Sequence, residues 1–187
     1  MSQFTNTKPT ASVKSAGFSI LEVLITAAII GVITGLVVLK YGAFNNLILL
    51  KNQAFQISID LRETQNRALS SLGRGGTAFR DGYGIYFSLS APDRYVIFID
   101  TDNDNSFDAN EELEIRRLDS RFILSQLCNG GTCTANTMAV VFRRPNFDAI
   151  INNGSISNGR IEIVPKNGAG GVSRAININA AGQISVE

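Results

Sequence analysis

The segment from Ala16 to Lys40 reads AGFSILEVLITAAIIGVITGLVVLK and holds a long apolar run. Between Phe18 and Leu39 this run contains a single charged residue, Glu22. As a helix it would extend roughly 33 Å, close to the ~30 Å hydrocarbon thickness of a bilayer. A carboxylate at the bilayer centre costs about 2.5–3.5 kcal/mol on insertion scales. The run therefore predicts a membrane-crossing helix, and the presence of a charged residue, Glu22, within it requires an explanation.

Two ordinary interpretations of the apolar run are a secretory signal peptide and a plain single-span anchor. A signal peptide needs small residues in an A-x-A-like arrangement after the run. The best candidate, KYGAF, has Tyr41 where a small residue belongs. Neither interpretation accounts for Glu22, or for Gly17 directly before the run.

The stretch GFSILEVLITAAIIGVITG resembles the N-terminus of type IV pilins and type II secretion pseudopilins. In that family a prepilin peptidase cuts after a glycine on the cytoplasmic side of the apolar run and methylates the new N-terminus. The resemblance implies that Gly17 ends the leader and Phe18 begins the mature chain. Glu22 then falls at the fifth mature position, where the family's glutamate pairs with the N-terminal amine of a neighbouring subunit.

The same resemblance implies a structural protein, not an enzyme. Its expected partners are other pilin or pseudopilin subunits, the prepilin peptidase, and membrane lipid before assembly. Its expected location is a single pass through the cytoplasmic membrane with the head outside, followed by a surface or periplasmic filament. Leu39 stands where many major pilins have proline, eight residues after Gly31, which favours a minor subunit. Gly31 and Gly35 also form a small-xxx-small pair that lets helices approach closely.

After Lys40 the apolar residues recur at helical spacing. They are Leu47, Leu50, Ala54, Ile57, Leu61, Ala68 and Leu72, with a weaker turn at Thr64 and Gln65. The charged residues Asp60, Arg62, Glu63 and Arg67 are expected mostly off this stripe. The predicted organisation is a leader (1–17), a membrane half-helix (18–41), an amphipathic half-helix (42–72) capped near Gly73, and a globular head (73–187).

From Tyr83 onward the apolar period changes to two, which is typical of strands. The predicted strands are YGIYFSL, RYVIFID, ELEIRRLD, MAVVFRR, GRIEIVP, SRAININ and QISVE. The predicted fold class is α+β: a long N-terminal helix packed on an antiparallel sheet or small β-sandwich. Such a head resembles those of the minor pseudopilins of the GspH/FimT group.

An acidic stretch, DTDNDNSFDANEE, lies between two predicted strands. Its carboxylates have the ligand spacing of an EF-hand calcium loop, and they are Asp100, Asp102, Asp104, Asp108 and Glu111. Asn105 takes the sixth position, and Phe107 takes the eighth, where an apolar residue usually fixes the loop. The alternative is a solvated turn, since Asp and Asn favour turns.

Cys128 and Cys133 flank a glycine turn, CNGGTC. In an oxidising compartment they predict a disulfide worth about 2 kcal/mol, and the alternative is two free thiols. The chain has no histidine. Since histidine is the commonest general base, its absence argues against most hydrolytic sites, and no organic cofactor is indicated.

The formal net charge is +1 at pH 7, which favours no charge-driven partner. A DNA-uptake minor pilin is the main alternative function, and an adhesive one with a calcium-fixed head is another. Gln183 and Ser185 stand where DNA-uptake relatives carry arginines, and Arg143–Arg144 is a thin substitute for a basic cluster. The sequence therefore argues against nucleic acid as a partner.

Overall fold

The computed structural model describes residues 17–70, 81–167 and 171–187. In these residues the α-helix α1 (Ile20–Ser70) precedes ten strands. The strands are β1 (Gly82–Ser88), β2 (Arg94–Asp100), β3 (Glu112–Arg117), β4 (Phe122–Asn129), β5 (Thr132–Ala135), β6 (Thr137–Phe142), β7 (Ala149–Ile151), β8 (Asn158–Pro165), β9 (Arg174–Asn179) and β10 (Ile184–Val186). The chain divides into two compact units, Met1–Gly42 and Ala43–Glu187.

The second unit contains two five-stranded antiparallel sheets. The first has the order β3-β2-β1-β6-β7, and Ile85 on its central strand lies opposite Ile97 and Val140. The second has the order β10-β9-β8-β4-β5, with Ile161 opposite Leu127 and Ile176. These apolar cross-strand partners are the pairs that stabilise a sheet.

One hydrophobic core joins α1 to both sheets in this unit. On the helix Leu50, Ala54, Ile57 and Leu61 are fully buried, following the predicted stripe. The same core includes strand residues from each sheet. The prediction of an α+β fold, with a long N-terminal helix and antiparallel sheets, is thereby confirmed.

A smaller apolar cluster lies on the other face of the first sheet. It is built from Phe98, Ala139 and Val141, with Tyr86, Phe107 and Ile150 packed against it. Gly84 is required here, because a Cβ at this position would overlap the Phe98 ring. The cluster matters for function because Phe107 belongs to the acidic loop.

Three strands were not predicted from the sequence: β4, β5 and β7. In β4 the alternation of apolar and polar residues is broken by a register shift between Leu124 and Gln126. The β5 strand has only four residues and β7 only three. Strands this short carry too few side chains to show a period of two.

The structure also corrects the position expected for Asp60. This side chain is buried, 2% exposed, although it was expected off the apolar stripe. Tyr95 on β2 and Gln56 on the helix cover it and donate hydrogen bonds at 2.5 and 2.9 Å. The leader up to Ala16, Leu72 and the cap at Gly73 lie outside the described residues.

Candidate functional site

The helix begins at the residues where processing was predicted. Gly17, Phe18 and Ser19 precede the first helical residue, Ile20, and Phe18 is 82% exposed. The Ser19 hydroxyl accepts a hydrogen bond from the Leu21 amide at 3.3 Å, so Ser19 is the N-cap. The proposed scissile bond therefore lies just outside the helix.

Ser19 and Glu22 have the spacing of a capping box, which the sequence interpretation missed. In that motif a Ser at the N-cap is followed three residues later by Glu or Gln. Glu22 lies in the first turn, near the positive end of the helix dipole. The S-x-x-E signal was readable in the sequence. The position of Glu22 in the first turn therefore suits a helix-capping role as well as the predicted pairing with a neighbour.

The residues from Ile20 to Leu39 form an apolar surface with nothing covering it. Their mean hydropathy is 2.5, the stretch is long enough to cross a membrane, and none of it is buried within the chain. Apart from their sequence neighbours and the backbone of their own helix, no described atom lies within 4 Å of where a Cβ of Gly31 or Gly35 would stand. An exposed apolar surface of this extent is typical of a membrane or protein interaction site.

The head portion of α1 also carries exposed apolar residues opposite its buried stripe. Ile48 and Phe55 are each 44% exposed, and Ile59 is 54% exposed. Polar residues such as Asn52 and Asn66 interrupt this face. The face is therefore mixed in character, in contrast to the uniformly apolar first half of the helix.

The acidic loop connects β2 to β3 and begins at the last residue of β2, Asp100. One carboxylate oxygen from each of Asp100, Asp102 and Asp104 lies within 4.8 Å of the others. Asp100 is fully buried, and the other two are exposed. Of the five predicted ligands, these three are brought together, while Asp108 and Glu111 stand outside this group.

Glu111 holds the two ends of the loop together. Its Oε1 accepts hydrogen bonds from the amide and the hydroxyl of Thr101, at 2.7 and 3.0 Å. Its Oε2 accepts one from the Asp108 amide at 3.3 Å. Because Glu111 is buried, 3% exposed, these bonds fix the loop ends where water cannot compete for them.

Phe107 fixes the middle of the loop, as its position predicted. Its ring stacks on Tyr86 at a centroid distance of 4.6 Å and meets Phe98 edge-on at 5.3 Å. Such aromatic pairs contribute about 0.5–1.5 kcal/mol each beyond their buried area. The loop is therefore packed against the outer cluster of the first sheet.

The two adjacent arginines are engaged in contacts inside the head. Arg143 forms an ion pair with Asp100. Arg144 donates to the carbonyls of Ala68 and Leu69 in the last turn of α1, at 3.3 and 2.7 Å. A guanidinium at this end satisfies free helix carbonyls and complements the helix dipole.

The predicted disulfide between Cys128 and Cys133 is present. It borders a cavity of about 450 Å³ on the second sheet, to which Gln183 and Ser185 also contribute. Arg160 lines the same cavity, and its guanidinium pairs with Glu187 at 2.9 Å. Amide and hydroxyl side chains therefore lie in this cavity beside the disulfide and one paired charge.

No family model matches this sequence, and no curated protein matches it significantly. Among solved structures, the chain is similar to the type IV minor pilin FimU of Pseudomonas aeruginosa strain PAO1. The two share 16% sequence identity, and the match covers 74% of this chain and 92% of that one. The TM-score of the superposition is 0.47.

Proposed function

We propose that this chain is a minor pilin or pseudopilin, a structural subunit of a type IV pilus or type II secretion-like filament. The observation that carries the proposal is the fully uncovered apolar helix surface from Ile20 to Leu39, with Glu22 in its first turn. A soluble protein would not leave such a surface exposed, because it would aggregate. A membrane holds the subunit before assembly, and neighbouring helices replace the lipid afterwards.

Processing between Gly17 and Phe18 creates the second charge that assembly needs. The new amine at Phe18 carries a positive charge and stands in the same apolar layer as Glu22. Each charge is costly alone in a medium without water, and pairing offsets much of that cost. Pairing between neighbours then sets the axial register of the filament.

The test compares Glu22→Ala with Glu22→Gln in the native host. Glutamine keeps the capping-box function at this position but has no charge, whereas alanine lacks both. If Glu22 pairs with an amine, both variants enter the membrane normally and both are depleted at least tenfold from sheared filaments. Near-normal incorporation of Glu22→Gln, with loss of Glu22→Ala alone, would reduce Glu22 to a helix cap and refute the pairing.

The intact mass of the mature protein tests the processing step separately. The expected form begins at Phe18 and carries one added methyl group. A mature chain that begins at Met1, or one cut near Ala43, contradicts the proposed cleavage. This measurement does not depend on filament yield, so it distinguishes failed processing from failed assembly.

The DNA-uptake alternative gains no support from the two adjacent arginines, Arg143 and Arg144. Phosphate contacts require Lys or Arg side chains that are available to the backbone of the nucleic acid. Arg143 is paired with Asp100, and Arg144 with carbonyls of α1. The chain is better described as an assembly subunit whose head lies outside the cytoplasm.

A further inference from the structure

We propose that the loop between β2 and β3 binds a calcium ion through Asp100, Asp102 and Asp104. These carboxylates come from alternate residues of one turn and offer three oxygens within 4.8 Å of one another. Calcium prefers several oxygen ligands in a flexible arrangement and completes its shell with carbonyls and water. The ligands come from this chain's own loop and do not require it to be a pilin.

Two buried oxygens in the loop have no hydrogen-bond donor, and they are the observation that points to a cation. One is Oδ1 of Asp100, and the other is Oδ1 of Asn105. Buried acceptors in proteins are almost always satisfied, because an unpaired one forfeits its bonds to water. A cation bound by the three carboxylates would supply what Oδ1 of Asp100 lacks.

The two oxygens of Asp100 have separate surroundings. Oδ2 accepts the Asn105 amide at 3.1 Å and pairs with the Arg143 guanidinium. These contacts hold the carboxylate in place and leave its other oxygen, Oδ1, available as a ligand. Arg143 also offsets one of the negative charges of the loop.

Asp102 and Asp104 are likewise oriented through one oxygen each. Oδ1 of Asp102 accepts the Asp104 amide at 3.2 Å, and Oδ1 of Asp104 accepts the Ser106 amide at 2.7 Å. Both bonds leave Oδ2 of the same side chain for a metal. Because both side chains are exposed, water reaches the ion and completes its coordination.

The rest of the loop is fixed without metal by Glu111 and Phe107. Both carboxylate oxygens of Glu111 accept hydrogen bonds from Thr101 and Asp108. Glu111 therefore stabilises the loop and does not act as the bidentate metal ligand that stands at this position in an EF-hand. A site with three carboxylates and one nearby arginine should be weak. We expect a dissociation constant of about 10⁻⁴–10⁻³ M, the range of extracellular calcium modules.

The experiment uses the full chain in detergent micelles after treatment with a chelator. Calcium chloride is titrated from 0 to about ten times the expected dissociation constant, and the melting temperature is followed by circular dichroism. The wild-type chain should melt roughly 3–6 °C higher at the end of the titration. Magnesium chloride should give less than half of this shift, because magnesium gives up its water reluctantly.

The variant Asp102→Asn/Asp104→Asn should lose the calcium response. Both side chains are exposed, so the variant should fold. The matched control, Asp93→Asn/Asp148→Asn, makes the same two chemical changes at exposed positions outside the loop and should respond like wild type. An unchanged wild-type melt, or equal responses from the loop variant and the control, would overturn the site. Equal responses to magnesium and calcium would overturn its assignment to calcium.

Discussion

Two carboxylates lie among apolar residues of α1, and they differ in the partners that the chain provides for them. Asp60, in the head unit, is 2% exposed and accepts hydrogen bonds from Tyr95 and Gln56. Arg116 lies 4.0 Å from it. Glu22, in the N-terminal unit, lies in an apolar run that is exposed throughout. The described residues of the head thus supply partners for Asp60, whereas the charged partner that we propose for Glu22 comes from another subunit.

The residues around each carboxylate show the same difference. Around Asp60 the apolar residues occupy one stripe, since Ile57 and Leu61 are fully buried while Ile59 is exposed. Around Glu22 they cover the whole helix surface. A stripe is sufficient when one protein core covers it, whereas a helix apolar all round is typical of a membrane or a helix-rich assembly. The distribution of apolar residues therefore distinguishes the half of α1 that packs in the head core from the half whose apolar side chains are exposed.

The sharpest test of this contrast replaces one isoleucine in each half. Ile57→Ala removes a fully buried side chain from the head core and should lower the free energy of unfolding by about 2–5 kcal/mol. Ile30→Ala replaces a residue that is 63% exposed within the chain and should change the free energy of unfolding by less than about 0.5 kcal/mol. Denaturant unfolding of the full chain in micelles measures both, and equal losses would break the comparison.

A medium effect is expected at the partner of Asp60. Burial, followed by the hydrogen bond to Asp60, raises the pKa of Tyr95 above its usual value. Tyr95→Phe removes the hydroxyl that donates to Asp60 and leaves one oxygen of a buried carboxylate without its donor. The free energy of unfolding at neutral pH should fall by about 1–3 kcal/mol.

Alkaline pH should reveal, in the wild-type chain, the stability that depends on Tyr95 keeping its proton, since burial and then the hydrogen bond to Asp60 raise its pKa. Because the native state holds the Tyr95 proton more tightly than the unfolded state, this contribution is complete below about pH 10 and shrinks as pH rises further. Unfolding free energies measured between pH 9 and 11 should therefore fall more steeply for wild type than for Tyr95→Phe. Parallel pH profiles would show that folding does not raise the pKa of Tyr95.

The fold class could be predicted from the sequence because α1 and most strands carry complete periodic patterns. The buried face of α1 follows the predicted stripe at Leu50, Ala54, Ile57 and Leu61. The short strands β5 and β7 were not predicted, because a period of two can be recognised only over several residues. The burial of Asp60 was not predicted for another reason. The side chain that covers it, Tyr95, is distant in the sequence.

The acidic loop shows the same limit at the candidate metal site. The spacing of its carboxylates and the packing of Phe107 could be predicted from local sequence. The contact between Asp100 and Arg143 could not, because the two residues are 43 positions apart and meet only through the pairing of strands. The hydrogen bonds of Glu111 to Thr101 and Asp108 could not be predicted either. Sequence spacing identifies a carboxylate as a possible ligand but does not show which donors of the protein it already accepts from.

A similarly small effect on stability is expected on the exposed face of the head portion of α1. Ile48→Ala/Ile59→Ala alters side chains that are 44% and 54% exposed, so the free energy of unfolding should change by less than about 0.5 kcal/mol per site. If this face contacts neighbouring subunits, the variant should still be depleted from sheared filaments. The control Asn52→Ala/Asn66→Ala changes exposed polar residues of the same helix and should assemble normally. Normal incorporation of both variants would confine the assembling surface of α1 to its apolar first half.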